Sequence, residues 1–140
     1  MRSYLIYIVI VIFAFSWVPS SLAEPNSKAN GVEPQAHLAL DSCVFDFGTV
    51  NADTIAHGVM KFKNTGDAPL QILTIFSECG CTSSSYTTDP VEPGECGEII
   101  ISFNGKKRKP GSFRKSLRIR SNADNPRVVL MVKGVVESME

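Results

Sequence analysis

From Ser42 onward the chain alternates short apolar runs with turn chemistry about every eight to twelve residues, a rhythm that predicts an all-β sandwich or barrel. Phe113, Lys115, Leu117 and Ile119 alternate with Arg114, Ser116, Arg118 and Arg120. One face of that segment is mostly apolar and the other basic, which predicts a half-buried strand. Ile99, Ile101 and Phe103 oppose Glu98, Ile100 and Ser102 in the same way, and Gly58, Met60 and Phe62 oppose Val59, Lys61 and Lys63. Cys43, Phe45 and Phe47 share one face of a first strand that ends near Val50. Residues 70–76 and 128–136 are apolar on both faces, which predicts central or covered strands. Six strands result, with a short seventh expected around residues 83–87. Outside the N-terminal leader no window carries a helical period over about ten residues.

The turns agree with this reading. Asn64-Thr65-Gly66-Asp67-Ala68-Pro69 ends one strand and feeds the next, Glu92-Pro93-Gly94 supplies a turn, and Asn104-Gly105 opens a longer hairpin loop through Pro110-Gly111. Gly48 and Gly66 stand where strands meet turns and are expected to take positive φ. Ser121 to Pro126 joins the last two strands.

The N-terminal segment has a different texture. Arg2 precedes an uncharged, almost wholly aliphatic and aromatic run over residues 5–18, Pro19 breaks it, and Ser21 and Ala23 are small residues at the two positions a signal peptidase reads. This predicts a signal peptide over residues 1–23, cleaved after Ala23, with an uncleaved membrane anchor as the rival reading. Residues 24–41, with two prolines and a glycine, read as a flexible linker, and 42–137 as the folded domain.

Charge changes the picture only when it is divided. The whole chain holds 14 basic and 14 acidic residues, and its neutrality argues against a nucleic-acid binder. Residues 24–98 hold 11 acids and three bases, whereas 99–133 hold ten bases and one acid, Asp124. Lys106, Lys107, Arg108 and Lys109 in a loop, followed by Arg114, Arg118 and Arg120 along one strand face, form a candidate anion-binding surface. The bland counterpart is a solvated strand face whose charges keep sheets from pairing edge to edge.

The four cysteines, Cys43, Cys79, Cys81 and Cys96, all follow the leader. An even number in an oxidising compartment favours disulfides, and four cysteines admit three pairings. Cys79 and Cys81 are separated only by Gly80; an extended i to i+2 span approaches or exceeds the Cα separation of about 6.8 Å that a disulfide tolerates, so a bridge between them needs a tight turn at Gly80 and is expected to be strained, and the other pairings send each to Cys43 or Cys96. A redox-active pair and a soft-metal site, copper(I) or zinc on Cys79 and Cys81, are the other readings of this spacing.

Five motifs occur in order: Phe45-Asp46-Phe47-Gly48-Thr49-Val50, Phe62-Lys63-Asn64-Thr65-Gly66-Asp67-Ala68-Pro69-Leu70, Cys79-Gly80-Cys81-Thr82, Pro93-Gly94 and Ser121-Asn122-Ala123. Together they resemble family 1573 of the domain-of-unknown-function series, exported bacterial proteins with an immunoglobulin-like domain similar to Hydin-type and major-sperm-protein-type domains. The resemblance implies an immunoglobulin-like β-sandwich of about seven antiparallel strands, and no particular activity. In that family's pattern the Cys-Gly-Cys-Thr pair is the usual cysteine content, so Cys43 and Cys96 are additions.

Catalytic signals are sparse. His37 falls in the linker and His57 near a strand start, and the chain has no nucleophile elbow, phosphate loop or zinc-protease motif. The expectation is therefore a non-enzymatic module of the cell envelope without a cofactor, contacting protein or an anionic envelope polymer. It meets no nucleic acid, and meets a membrane only if the leader stays uncleaved. The alternative is a periplasmic thiol protein, redox or metal-handling, centred on Cys79 and Cys81.

Overall fold

The computed structural model describes residues 33–138; the leader and most of the expected linker lie outside them. Eight strands form: β1 (Leu38–Leu40), β2 (Val44–Asn51), β3 (Ile55–Asn64), β4 (Ile72–Ser77), β5 (Thr82–Tyr86), β6 (Cys96–Asn104), β7 (Gly111–Ser121) and β8 (Arg127–Glu137). A front sheet has the order β1-β3-β6-β5 and a back sheet the order β2-β8-β7-β4. Every strand pair is antiparallel except β2 with β8, which run parallel.

The alternation read from the sequence is the alternation of burial. Ile99, Ile101 and Phe103 of β6 and Leu117 and Ile119 of β7 turn inward and are buried, and each full burial contributes about 1.5–3 kcal/mol. The stacked rings of Phe103 and Phe113, with centroids 3.8 Å apart, join the sheets at one end of the core.

Three expectations change. The stretch assigned to the linker as far as residue 41 is ordered at its end: Ala36 and Leu38 are buried, and β1 pairs with the last residues of β3. Apolar residues at alternate positions, Ala36, Leu38 and Leu40, give this short segment a face to bury. Residues 70–76 and 128–136 are not covered on both sides. β8 is central in the back sheet but its outer face is open, and β4 is an edge strand, with Leu73 and Phe76 each 54% exposed and Val129 51%. The loop of residues 105–110 is a crossover from the front sheet to the back sheet and not a hairpin, because β6 and β7 pair with different neighbours.

One end of the sandwich is knitted by side chains. Asn64 is fully buried; its Nδ2 donates to the carbonyls of Ala68 (2.8 Å) and Val91 (2.9 Å), and its Oδ1 accepts from the amides of Gly66 (3.0 Å) and His37 (3.3 Å). Asn125 treats Leu38 as a strand partner would, accepting from its amide at 3.0 Å and donating to its carbonyl at 2.8 Å. Gly66 is needed here for close approach and not for positive φ. A Cβ at that position would stand 2.6 Å from the Ala36 carbonyl carbon. Gly48 does take positive φ, 64°, at the bulge where β2 shifts register against β8.

Candidate functional site

The register of the back sheet sorts its outer face into rows. Arg120 stands opposite Arg127, Arg118 opposite Val129, Ser116 opposite Met131, and Arg114 opposite Lys133. Along the next ladder Met131 is beside Val44 and Lys133 beside Asp46, while Phe76 of β4 flanks Arg118. Five cations thus share one face with exposed apolar side chains. Two of them have partners: Arg118 donates to Glu78 at 2.6 Å and Lys133 lies 3.1 Å from Asp46. Arg114, Arg120 and Arg127 form no ion pair among the described residues.

Like charges directly opposite each other in an antiparallel ladder destabilise it. The face contains two such juxtapositions, Arg114 with Lys133 and Arg120 with Arg127. Asp46 relieves the first by binding Lys133. Its carboxyl is held below the ordinary value of 3.8, chiefly by the hydrogen bond from the Gly48 amide (2.8 Å) and then by Lys133. Arg120 and Arg127 have no such relief. Three concavities among the described residues, of about 610, 400 and 370 Å³, run along this face and are lined in turn by Arg114 with Lys133, by Val129 with Met131, and by Phe76 with Arg127.

The seven cations singled out in the sequence spread from the crossover along β7, with Arg114 nearest the loop and Arg120 farthest from it. Arg114, Arg118 and Arg120 are outward on β7. Lys106, Lys107, Arg108 and Lys109 lie on the crossover, in and just after a 3-10 turn at Gly105–Lys107, before β7 begins. Nine residues separate Gly111 from Arg120, about 30 Å of strand. Arg127 and Lys133 join the face from β8. Period two within β8 carried their signal, but joining them to β7 requires the register of the β7–β8 hairpin.

The most acidic and the most basic loops lie at opposite ends, although Asp53 and Glu137 stand at the crossover end and Arg120 and Arg127 flank loop 122–126. Loops 65–71, 87–95 and 122–126 lie at the knitted end and contain Asp67, Asp89, Glu92, Glu95 and Asp124, with no lysine or arginine. The lysine-rich crossover leaves from the opposite end, where β6 finishes and β7 starts. His37, expected in the linker, belongs to the acidic end, its Nδ1 2.7 Å from Asp124. His57 is exposed on β3, 2.8 Å from the hydroxyl of Ser102.

The cysteines separate into a pair and two single thiols. Cys79 and Cys81 are disulfide-bonded to each other across a turn that brings their Cα atoms to 5.3 Å, inside the range a disulfide accepts. Cys43 and Cys96 are exposed free thiols. Neither is placed to reach the pair. β2 and β4 are at opposite edges of the back sheet, about 14 Å apart at the usual strand spacing, and Cys96 is seven residues along β6 from Phe103, the partner of Thr82, about 23 Å. A bridge spanning so few residues constrains the unfolded chain by roughly 1.5 kcal/mol, against ~3–4 kcal/mol for one to a distant cysteine. Among the described residues no three His, Cys, Asp or Glu side chains converge as a metal cluster, and no helix is long and apolar enough to cross a membrane.

Two packed four-stranded sheets, with their first and last long strands parallel, define an immunoglobulin-like sandwich of the PapD-like kind. The chain belongs to the family described as protein of unknown function (DUF1573), whose model matches residues 38–136. No curated protein matches the chain. Among solved structures it is similar to a protein of unknown function from Porphyromonas gingivalis W83, at 16% identity and a TM-score of 0.63 over 73% of this chain. It spans 46% of the length of that protein. It is also similar to the ASH/PapD-like domain 7 of human CEP192, at 14% identity and a TM-score of 0.58, covering 89% of this chain and 99% of that one. The periplasmic chaperone SfaE is similar at 9% identity and a TM-score of 0.52, over 74% of this chain and 59% of its own. At these identities the likenesses speak to the fold alone.

Proposed function

We propose that this chain is an exported, non-enzymatic binding module of the cell envelope that receives an acidic protein partner on the outer face of its back sheet. The observation that carries the reading is the unrelieved juxtaposition of Arg120 and Arg127. Such a pair costs stability in the free domain, and carboxylates laid across it from a partner would remove that cost. Exposed Phe76, Val129 and Val44 between the cations favour a protein segment over a glycan, since a partner with apolar side chains covers both kinds of group. Export rests on the uncharged run over residues 5–18 and the small residues Ser21 and Ala23.

The test is a titration of isotope-labelled domain with a short peptide alternating glutamate with leucine, a second alternating glutamate with serine, and a heparin oligosaccharide. The leucine peptide is expected to bind tightest, with amide shifts on β7 and β8 around Arg118, Arg120, Arg127 and Val129, weakening as salt rises. Tighter binding of heparin would move the reading to an anionic glycan. Shifts confined to residues 106–109 would overturn it. The mass of the protein recovered from cells reports export separately: a chain beginning at Glu24 is expected, and one retaining Arg2 would make it an anchored protein.

A further inference from the structure

The turn between β4 and β5 gives its two cysteines unequal surroundings. Cys81 is 5% exposed, whereas Cys79 is only half-buried. Between them Gly80 is exposed, and a Cβ built on it would meet nothing within 4 Å, so space is open beside the pair. Each sulfur also has its own donor. The amide of Cys81 points at Cys79 Sγ from 3.1 Å, and the hydroxyl of Thr82 is 3.8 Å from Cys81 Sγ. The turn is braced from outside: the Cys79 carbonyl accepts from the Ser77 hydroxyl (3.0 Å) and the Thr82 amide (3.2 Å), and the Cys81 carbonyl accepts from the Asn104 amide (2.8 Å). Opening the bridge would leave this frame in place.

From this asymmetry we infer that Cys79 and Cys81 form a thiol–disulfide exchange pair, with Cys79 the sulfur that meets an external dithiol and Cys81 the resolving sulfur. The inference rests on this turn alone and is independent of the basic face. A thiolate of the external dithiol attacks the Sγ of Cys79, the less buried of the two residues. The bond to Cys81 Sγ breaks, and its electron pair goes to Cys81, where the Thr82 hydroxyl donates to the departing thiolate. The second thiolate of the dithiol then attacks its own sulfur in the mixed disulfide. Cys79 leaves as a thiolate that accepts the Cys81 amide, and both cysteines end as thiols after taking protons from water. The dithiol is oxidised to a disulfide and the protein pair is reduced; the reverse sequence oxidises the pair. A purely structural role explains less, because the bridge closes so short a loop that it restrains the unfolded chain little.

The experiment uses the mature chain carrying Cys43→Ser and Cys96→Ser, both at exposed positions, in buffers of reduced and oxidised dithiothreitol, with thiols counted after trapping. The pair is expected to pass reversibly between two thiols and none without denaturant. Two thiols in every buffer, or a bridge that opens only on unfolding, would overturn the inference. In the same background, Cys81→Ala is expected to form a mixed disulfide with oxidised glutathione at least tenfold faster than Cys79→Ala does. Equal rates, or the opposite order, would sink the assignment of roles. Thr82→Val retains both cysteines and is expected to slow reduction of the bridge several-fold with an unchanged circular-dichroism spectrum. An unchanged rate would remove Cys81 as the leaving sulfur.

Discussion

The knitted end and the outer face of the back sheet handle polar groups in opposite ways. At the knitted end Asn64 is wholly buried and each polar atom of its side chain has two backbone partners, while Asn125 pairs with both polar groups of Leu38. On the back sheet Arg114, Arg120 and Arg127 stand exposed without an ion pair among the described residues, each of them facing a like charge. Polar groups satisfied internally hold the fold; charged groups that only water solvates on a surface are available to something outside it. Substitutions in the two regions should therefore separate stability from binding.

The largest effect is expected at Asn64. Asn64→Ala removes the side-chain partner of the Ala68 carbonyl and of the Gly66 and His37 amides, and one of the two donors to the Val91 carbonyl, and should lower the unfolding free energy by about 3 kcal/mol in urea denaturation, with binding by the folded fraction unchanged. Asn64→Asp should cost more at neutral pH, since it replaces two donated bonds with a buried charge facing carbonyl oxygens. A loss under about 1 kcal/mol for either would break the comparison.

Asn125→Ala should cost about 1–2 kcal/mol and act locally. Hydrogen exchange at the Leu38 amide should accelerate while the amides of β6 and β7 stay protected, because β1 is held at an edge and the core strands are not. Uniform acceleration would place Asn125 in the global fold instead.

The smallest effect concerns Asp46, which links the basic face to the bulge. Its carboxyl is held below 3.8, so its contribution is fully present above that value and is lost as pH falls through the lowered one. A carboxyl titration followed by NMR should give a midpoint below 3.8, and Lys133→Met should move it part of the way back. The Gly48 amide, the larger cause, remains in that variant.

This contrast marks how far the sequence could be read. Single strands were legible: the period of two through β6 and β7 assigned inward and outward faces correctly, because alternation within a strand depends on that strand alone. Relations between strands were less so. β1 is three residues long beside Pro34 and polar neighbours, and its order comes from Asn64 and Asn125, the latter 87 residues away. Lys106, Lys107, Arg108 and Lys109 are adjacent to β7 in sequence, yet the crossover carries them to the end of the sandwich. Arg127 and Lys133 enter the face only through the register of β7 with β8. The partner of each cysteine stayed open for a similar reason: spacing allows Cys79 and Cys81 to meet or to part, and the braced turn decides.

On the proposed reading, the cations of the back sheet are kept at a cost to the free domain for the sake of a partner. Arg127→Glu tests this most directly, by measuring thermal or urea stability and binding of the glutamate–leucine peptide on the same protein. A glutamate opposite Arg120 replaces repulsion with a cross-strand pair, so stability should rise by about 0.5 kcal/mol while affinity for the acidic peptide falls at least tenfold. A variant that loses stability and binds as well as before would contradict the account.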